Sequence, residues 1–319
     1  MKVLLTGSFG NIGAKVVKEL LKQKHDVTCL DLKNPTNEKV AKQFGRKIKV
    51  VWGDITNAQQ VADEVKKVDA VIHMAALLPA SVDLNPALGK KVNVGGTQNV
   101  IDGIKASGRD IQLIFCSSIS VHGNNMPSDP YPRRIDTPFK KNDEYAGHKI
   151  ECEKLIDASG ITATIGRIGA CMDADSDIGG DPKESLQLLY RVHPDCRIEY
   201  VHPHDVALAL VNSVGNKAAY NKKFFLGAGE NGQTTWSAYA SIIFRALGLG
   251  DAPKHLFGDD PFYTEFMDTE EAQKVLQYQT LTLKDYQREM NQKFKWARIS
   301  ITPFRPLVRF FLYSMSPNR

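Results

Sequence analysis

Tyr145 and Lys149 are the pair whose types and spacing carry chemistry in this chain, four residues apart in Glu144-Tyr145-Ala146-Gly147-His148-Lys149. On a helix that spacing puts both side chains on one face. An ammonium beside a phenol favours the phenolate, so the spacing predicts a tyrosine that titrates below its usual pKa of about 10. Such a group takes a proton from an alcohol or gives one to a carbonyl while a hydride moves. Ser118, at the end of an apolar run, would orient the substrate oxygen with its hydroxyl. The plain alternative is a half-buried helix face where Tyr and Lys meet by chance.

A hydride carrier needs its own site, and the first turn supplies one. Thr6-Gly7-Ser8-Phe9-Gly10-Asn11-Ile12-Gly13 follows the apolar run Val3-Leu4-Leu5. It precedes Ala14 to Gln23, where Val16, Val17, Leu20 and Leu21 recur at helical spacing. Strand, glycine turn and helix together form a dinucleotide cradle. Gly7 allows the tight turn, Gly10 lets the backbone approach a pyrophosphate, and Gly13 lets helix and strand pack closely. The helix N-terminus offers free N–H groups and partial positive charge to phosphates. Taken alone, the turn also fits a tight connection with no ligand. Asp31, at the end of the run Asp26 to Leu30, adds context at the interval expected of an acid that binds the adenosine ribose. A carboxylate there accepts from ribose hydroxyls and repels a 2′-phosphate. That favours NAD over NADP, and nearby Lys33 softens the preference.

The elements that must position these residues alternate along the chain. Strands are expected at Ile48 to Asp54, Asp69 to Ala76, Gln112 to Cys116 (running into Ser117-Ser118) and Thr162 to Arg167. Helices are expected over Asn57 to Val68, Pro86 to Ser107 and Tyr145 to Ser159. This order predicts an α/β fold, a doubly wound parallel sheet with helices on both faces. Ligands of such sheets bind beyond the carboxyl ends of the strands, where Gly7, Asp31, Asp54, Ala75 and Ser118 all fall. The loop Asn124 to Asp143 should overhang that edge. Asp205 should cap the apolar helix Val206 to Val211. The expected division is a cofactor domain over 1–168, to which 198–226 returns. Residues 169–197 and 227–319 would form a substrate lobe and a basic-apolar tail.

With 319 residues and 42% hydrophobic side chains, the chain can build one large domain with a smaller lobe. Five dispersed cysteines without a CxxC pair suit a reducing compartment. No apolar run approaches bilayer length, and the first residues already belong to a strand, so the expected setting is cytoplasmic. A net charge of +5 is too modest to imply nucleic acid. His193, Cys196, His202 and His204 lie close together, but Pro194, Pro203 and the irregular spacing suit turns, so no metal is expected. Cys116 reads as a small core residue, since no base is positioned to activate it. The tail from Arg298 to Arg319 interleaves arginines with Phe304, Leu307, Val308, Phe310, Phe311 and Leu312 and contains no acid. A helix packed on the lobe is favoured there over an interfacial segment touching an anionic membrane.

In these motifs the chain resembles the extended short-chain dehydrogenases/reductases of the NAD-dependent epimerase/dehydratase group. The first turn, Asp31, Gly53-Asp54-Ile55 and His73-Met74-Ala75-Ala76 carry the likeness through the first four strands. Asn93-Val94-Gly95-Gly96-Thr97, Ser117 to Gly123, Tyr145 to Lys149 and Tyr200 to Ala207 continue it in the family's order. The resemblance implies a Rossmann sheet of about seven strands with a small C-terminal substrate lobe. It implies cofactor contacts from Gly7, Phe9, Gly10, Asn11, Ile12 and Gly13, and from Asp31 and Leu32. Asp54 and Ile55 would meet adenine, and Met74, Ala75, Ala76 and Asn93 the middle of the cofactor. Ser118, Tyr145 and Lys149 would form the reacting centre, Lys149 also holding the cofactor ribose. The family often dimerises through the helix bearing Tyr145, where Ile150, Leu155 and Ile156 suit either an interface or the core.

The departures narrow the activity. Arg167-Ile168 lacks the proline that follows the arginine in many sugar-nucleotide members, and Glu144-Tyr145 replaces Pro-Tyr. Ile119-Ser120 stands where related dehydratases carry Asp-Glu, which argues against sugar dehydration. Arg167 to His204 is short for a clamp around a nucleotide-diphosphate sugar. The expected activity is alcohol/ketone oxidoreduction of a small or apolar substrate. A sugar-nucleotide epimerase using the same residues is the competing enzyme reading. A non-catalytic sensor of the NAD pool is a third, disfavoured by the complete Ser-Tyr-Lys set.

Overall fold

Val3 and Leu5 point to one face of their strand and Leu4 to the other, and each face finds its own core. The computed structural model describes residues 1–176 and 182–318. It begins β1 (Lys2–Thr6), α1 (Asn11–Lys22), β2 (Asp26–Asp31), α2 (Pro35–Lys42), β3 (Lys49–Trp52), α3 (Ala58–Val65) and β4 (Ala70–His73). Next come the short helices α4 (Pro79–Leu84) and α5 (Pro86–Lys90), then α6 (Gly96–Ala106), β5 (Gln112–Ser118), α7 (Glu144–Ser159) and β6 (Ala163–Ile168). β7 (Ala170–Cys171), α8 (Pro182–Arg191), β8 (Arg197–Val201), α9 (Pro203–Asn212) and β9 (Lys222–Leu226) follow. The chain closes with β10 (Gln233–Thr235), α10 (Trp236–Ala246), α11 (Glu270–Leu276), α12 (Leu283–Lys293), α13 (Lys295–Ile301) and α14 (Arg305–Ser314).

The expected doubly wound sheet is seven-stranded, in the order β3-β2-β1-β4-β5-β6-β9, with every pairing parallel. Strand order reverses between β1 and β4, which opens a crevice at their carboxyl ends. Val16 and Val17 of α1 and Val206 and Leu210 of α9 cover one face. Val61 and Val65 of α3, Ile101 of α6 and Ile156 of α7 cover the other. Ile156, with Leu155 packed beside it, is therefore core. A second sheet, β10-β8-β7, carries the lobe, whose own core gathers Tyr190, Tyr200, Trp236, Tyr239 and Tyr286.

Three expectations need correcting. The helix expected over Pro86 to Ser107 is interrupted by a π turn at Lys91–Gly95. Just beyond it Gly96 presses on the sheet, where a Cβ would come within 2.9 Å of the Ile55 side chain. β8 pairs with β7 and β10, so the chain rejoins the main sheet at α9 rather than at residue 198. His202, not Asp205, caps α9, accepting from the His204 N–H at 2.9 Å. Asp205 is fully buried and accepts from the N–H groups of Thr280 and Leu281, each at 2.9 Å. It fastens a loop from late in the chain to α9, a partner that no local pattern announces.

Candidate active site

Glycine geometry shapes the first part of the site. Gly7 has a positive φ of 69°, and a Cβ there would lie 2.9 Å from the Ala75 nitrogen. This draws the ends of β1 and β4 together, and the Thr6 hydroxyl accepts from the Met74 and Ala75 N–H groups at 3.2 Å. A Cβ on Gly13 would overlap the Gly7 carbonyl, so α1 can approach β1 only with glycine there. Gly10 differs, because a Cβ there would meet nothing closer than 3.9 Å. No packing demands this glycine, and no side chain caps α1. The first turn of α1 thus presents its N–H groups in open space, as a pyrophosphate requires.

Asp31 is tied to this turn. It accepts from the Phe9 N–H at 2.9 Å and the Leu32 N–H at 2.8 Å, while burial raises its pKa. Lys33 turns to Glu38 at 3.7 Å. The Phe9 ring packs on Trp52, so Phe9 serves the cradle through its backbone. Leu32 is exposed beside Asp31, and Asp54 is exposed with its carboxylate turning the chain at Thr56. Ile12 packs on the α1 face of the core, and Ile55 is buried in the opposite core, its side chain against Gly96. Met74, Ala75 and Ala76 are half-buried at the crevice rim. Asn11 reaches across to the lobe, donating to Asp173 at 3.0 Å and to Ser176 at 3.1 Å. Burial alone would raise the Asp173 pKa, but Lys15, Ser176 and Asn11 together bring it down to about 2. Asn93 is buried, and its amide is spent on the backbone N–H and carbonyl of Leu77. It holds the loop after β4 rather than offering its side chain to a ligand.

The residues expected to react meet where α7 crosses the end of β5. Asp143 caps α7 by accepting from the Ala146 N–H at 2.7 Å, which fixes where Tyr145 enters the helix. The Lys149 ammonium is 5.7 Å from the centre of the Tyr145 ring and donates to the Cys116 carbonyl at 2.7 Å. The shared helical face is therefore real. The expected ionisation is not: burial pushes the Tyr145 phenol up, above its ordinary value, and lowers the Lys149 pKa. Desolvation is the first cause of both shifts, because burial disfavours the charged form of each group. Among the described residues the Tyr145 hydroxyl has no hydrogen-bond partner.

The two serines at the end of β5 have separate roles. Ser117 is buried and donates to Glu153 at 2.6 Å. Glu153 also holds Arg167 in a buried pair at 2.8 Å. Ser118 is half-buried; it accepts only from the Ser120 N–H at 3.2 Å, and its proton has no acceptor among the described residues. It lies two residues beyond Cys116, roughly 7 Å along the strand. α7 packs on the short 3₁₀ turn that Ser118 caps.

Residues given no role of their own by the sequence complete the surroundings. At the end of β4, His73 bonds Thr6 of β1 at 2.7 Å and Thr97 of α6 at 3.1 Å, and burial lowers its pKa to about 3. From the lobe, Tyr263 packs with Ile119, Phe225 and Met267; burial and then the nearby Tyr145 push its phenol up to about 12. No local period could have placed Tyr263 opposite Tyr145. The His and Cys residues considered for metal have separate partners. His202 caps α9, His193 accepts from the Asp195 N–H, and His204 lies beside Asp205 and Glu19. Cys196 is buried, and so is Cys116, whose thiol is pushed up to about 12 by burial.

Residues 3–171 match the NAD dependent epimerase/dehydratase family, and the chain belongs to that family. Its fold is that of the extended short-chain dehydrogenases/reductases, and the family's cofactor is NAD. The chain is 31% identical over 157 residues to the 3 beta-hydroxysteroid dehydrogenase type 7 of Mus musculus, covering 48% of this chain and 42% of that protein. It is 32% identical over 199 residues to the UDP-glucose 4-epimerase of Lactobacillus helveticus, covering 59% of this chain and 58% of that protein. The chain spans about half the length of the curated relatives it matches. The dTDP-glucose 4,6-dehydratase of Streptomyces venezuelae, solved with NAD bound, shares the fold at a TM-score of 0.76 and 21% identity. That likeness covers 96% of this chain and 100% of that one.

Proposed function

We propose that this protein interconverts an alcohol and a ketone or aldehyde on a small or apolar substrate, with NAD as hydride carrier. The observation that carries the reading is the Tyr145 hydroxyl, free of internal partners and held protonated beside the buried Lys149 ammonium. The glycine turn would hold the pyrophosphate and Asp31 the ribose hydroxyls. When bound, NAD supplies the acceptor or donor of hydride. In the reductive direction Tyr145 gives its proton to the substrate oxygen, and Ser118 donates a hydrogen bond to the same atom. Lys149 then faces the phenolate that is left. Its ammonium has three protons and spends one on Cys116, which leaves donors for the ribose.

Substrate size follows from the walls. Tyr263, half-buried on the apolar cluster of Ile119, Phe225 and Met267, would offer its ring as an apolar wall. Arg167, Arg191 and Arg197 are committed to Glu153, Asp260 and Glu265, so they do not wait for a diphosphate. One group favours the epimerase reading instead. Arg133, on the overhanging loop, is 5% exposed and has its Nη2 buried without a partner, a cation that could meet an anionic substrate. The test is to follow NADH with a panel of ketones and, separately, UDP-sugars by product analysis. Net NADH oxidation by ketones supports oxidoreduction. Interconversion of UDP-sugar epimers without net NADH change overturns it in favour of the epimerase.

A further inference from the structure

The last two helices have two apolar faces, and only one is used. Ile301, Val308, Leu312 and Tyr313 pack against the lobe core, and the Arg309 guanidinium donates to the Leu249 carbonyl at 2.6 Å. The other side of the same helices carries Trp296, Ile299, Phe304, Leu307 and Phe311, with Trp296 74% and Phe304 62% exposed. Trp296 and Ile299 lie three residues apart on α13, and Phe304, Leu307 and Phe311 follow at spacings of three and four into α14, so each helix turns an apolar stripe outward. Burying a helix on one side does not explain large apolar side chains on the other. An exposed apolar row of this size marks a surface that meets something other than water.

Charge identifies what it meets. After Glu289 the chain has no acidic residue, while Lys293, Lys295, Arg298, Arg305, Arg309 and Arg319 follow. Arg319 lies outside the described residues. Among the described residues, Lys295, Arg298, Arg305 and Arg309 pair with no carboxylate. Some exposed cations elsewhere pair with carboxylates, as in Lys222–Glu271 and Lys254–Asp195, whereas the tail carries no carboxylate side chain of its own to meet its cations. A second copy of this chain would bring the same unpaired cations face to face, which disfavours a symmetric contact. Aromatic and aliphatic residues on a convex helix, flanked by unpaired Lys and Arg, match the boundary between acyl chains and anionic headgroups. No helix among the described residues is long and apolar enough to cross a membrane, so the contact is interfacial.

We propose that α13 and α14 dock the protein on an anionic lipid surface, with Trp296, Phe304, Leu307 and Phe311 entering the headgroup region and Lys295 and Arg305 meeting lipid charge. The inner face of the same helices keeps the lobe attached, so docking needs no unfolding.

Sedimentation of the full chain with vesicles tests this, using phosphatidylcholine alone and phosphatidylcholine mixed with phosphatidylserine. The bound fraction should rise about tenfold with phosphatidylserine and fall as salt is added. Phe304→Glu with Phe311→Glu should abolish binding while leaving cofactor affinity unchanged, which shows the fold intact. Trp296 emission should shift to the blue on binding, and the shift should vanish in Trp296→Phe. Equal sedimentation of wild type and the double variant, or binding indifferent to phosphatidylserine, overturns the proposal. So does concentration-dependent self-association that the double variant removes, with no vesicle binding, because that assigns the row to a second copy.

Discussion

Burial keeps His73 of the main-sheet half and Glu199 of the lobe neutral, the first by refusing a proton and the second by keeping one. Beneath the crevice, His73 is buried between two hydroxyls and kept neutral, its pKa lowered to about 3. In the lobe, Glu199 is buried with N–H donors from Met267 at 2.8 Å and Gly229 at 3.0 Å, and burial still raises its pKa to about 7. His73 thus excludes a proton and Glu199 retains one. The partners differ in reach as well. His73 joins a neighbouring strand and the helix packed on it, while Glu199 gathers loops from residues 227–233 and 265–267. The crevice is thus built on a regular frame, and the lobe is assembled from distant segments around polar anchors.

The largest effect expected on this contrast is chemical. Tyr145→Phe should lower turnover by about 10²- to 10⁴-fold with NAD affinity nearly unchanged, measured by steady-state kinetics and calorimetry. Full activity in that variant would leave the main-sheet half as a binding frame only. Gly13→Val should cost at least about 3 kcal/mol and abolish NAD binding, because the side chain meets the Gly7 carbonyl and Ser8 backbone. Thermal melts with and without NAD check it.

The pH dependence should separate the halves. Between pH 6.5 and about 3 the unfolded chain binds a proton at His73 that the folded chain refuses, so stability falls as pH falls. Between pH 4.5 and about 7 the folded chain keeps a proton on Glu199 that the unfolded chain releases, so stability falls as pH rises. Denaturant titrations across pH should show each slope flatten, in His73→Asn and Glu199→Gln respectively, by on the order of 3–5 kcal/mol over the window. A shared slope change in both variants would dissolve the contrast. The smallest effect concerns cofactor choice: Asp31→Asn should weaken NAD binding by about tenfold and narrow its advantage over NADP. Competition between NADH and NADPH measures it.

Legibility followed the reach of each interaction. The glycine turn, Asp31 and the strand ends could be read because a turn, a strand and a helix each need only their neighbours. Tyr145 and Lys149 could be paired for the same reason. Their ionisation could not be read, because desolvation depends on everything packed over α7. Nor could the division between Ser117 and Ser118, which rests on Glu153 arriving from another element.

By itself the sequence determined the parallel sheet, the cradle at its switch point and the helix face that joins a phenol to an ammonium. These follow from periodicity, backbone freedom at glycine and side-chain spacing, all local properties. Only the tertiary structure decided that burial keeps Tyr145 protonated, that Asp205 anchors a distant loop and that Tyr263 faces the site. It also turned one side of the tail toward solvent. Each of these depends on which distant segment excludes water from a given group, and no short stretch of chain encodes that.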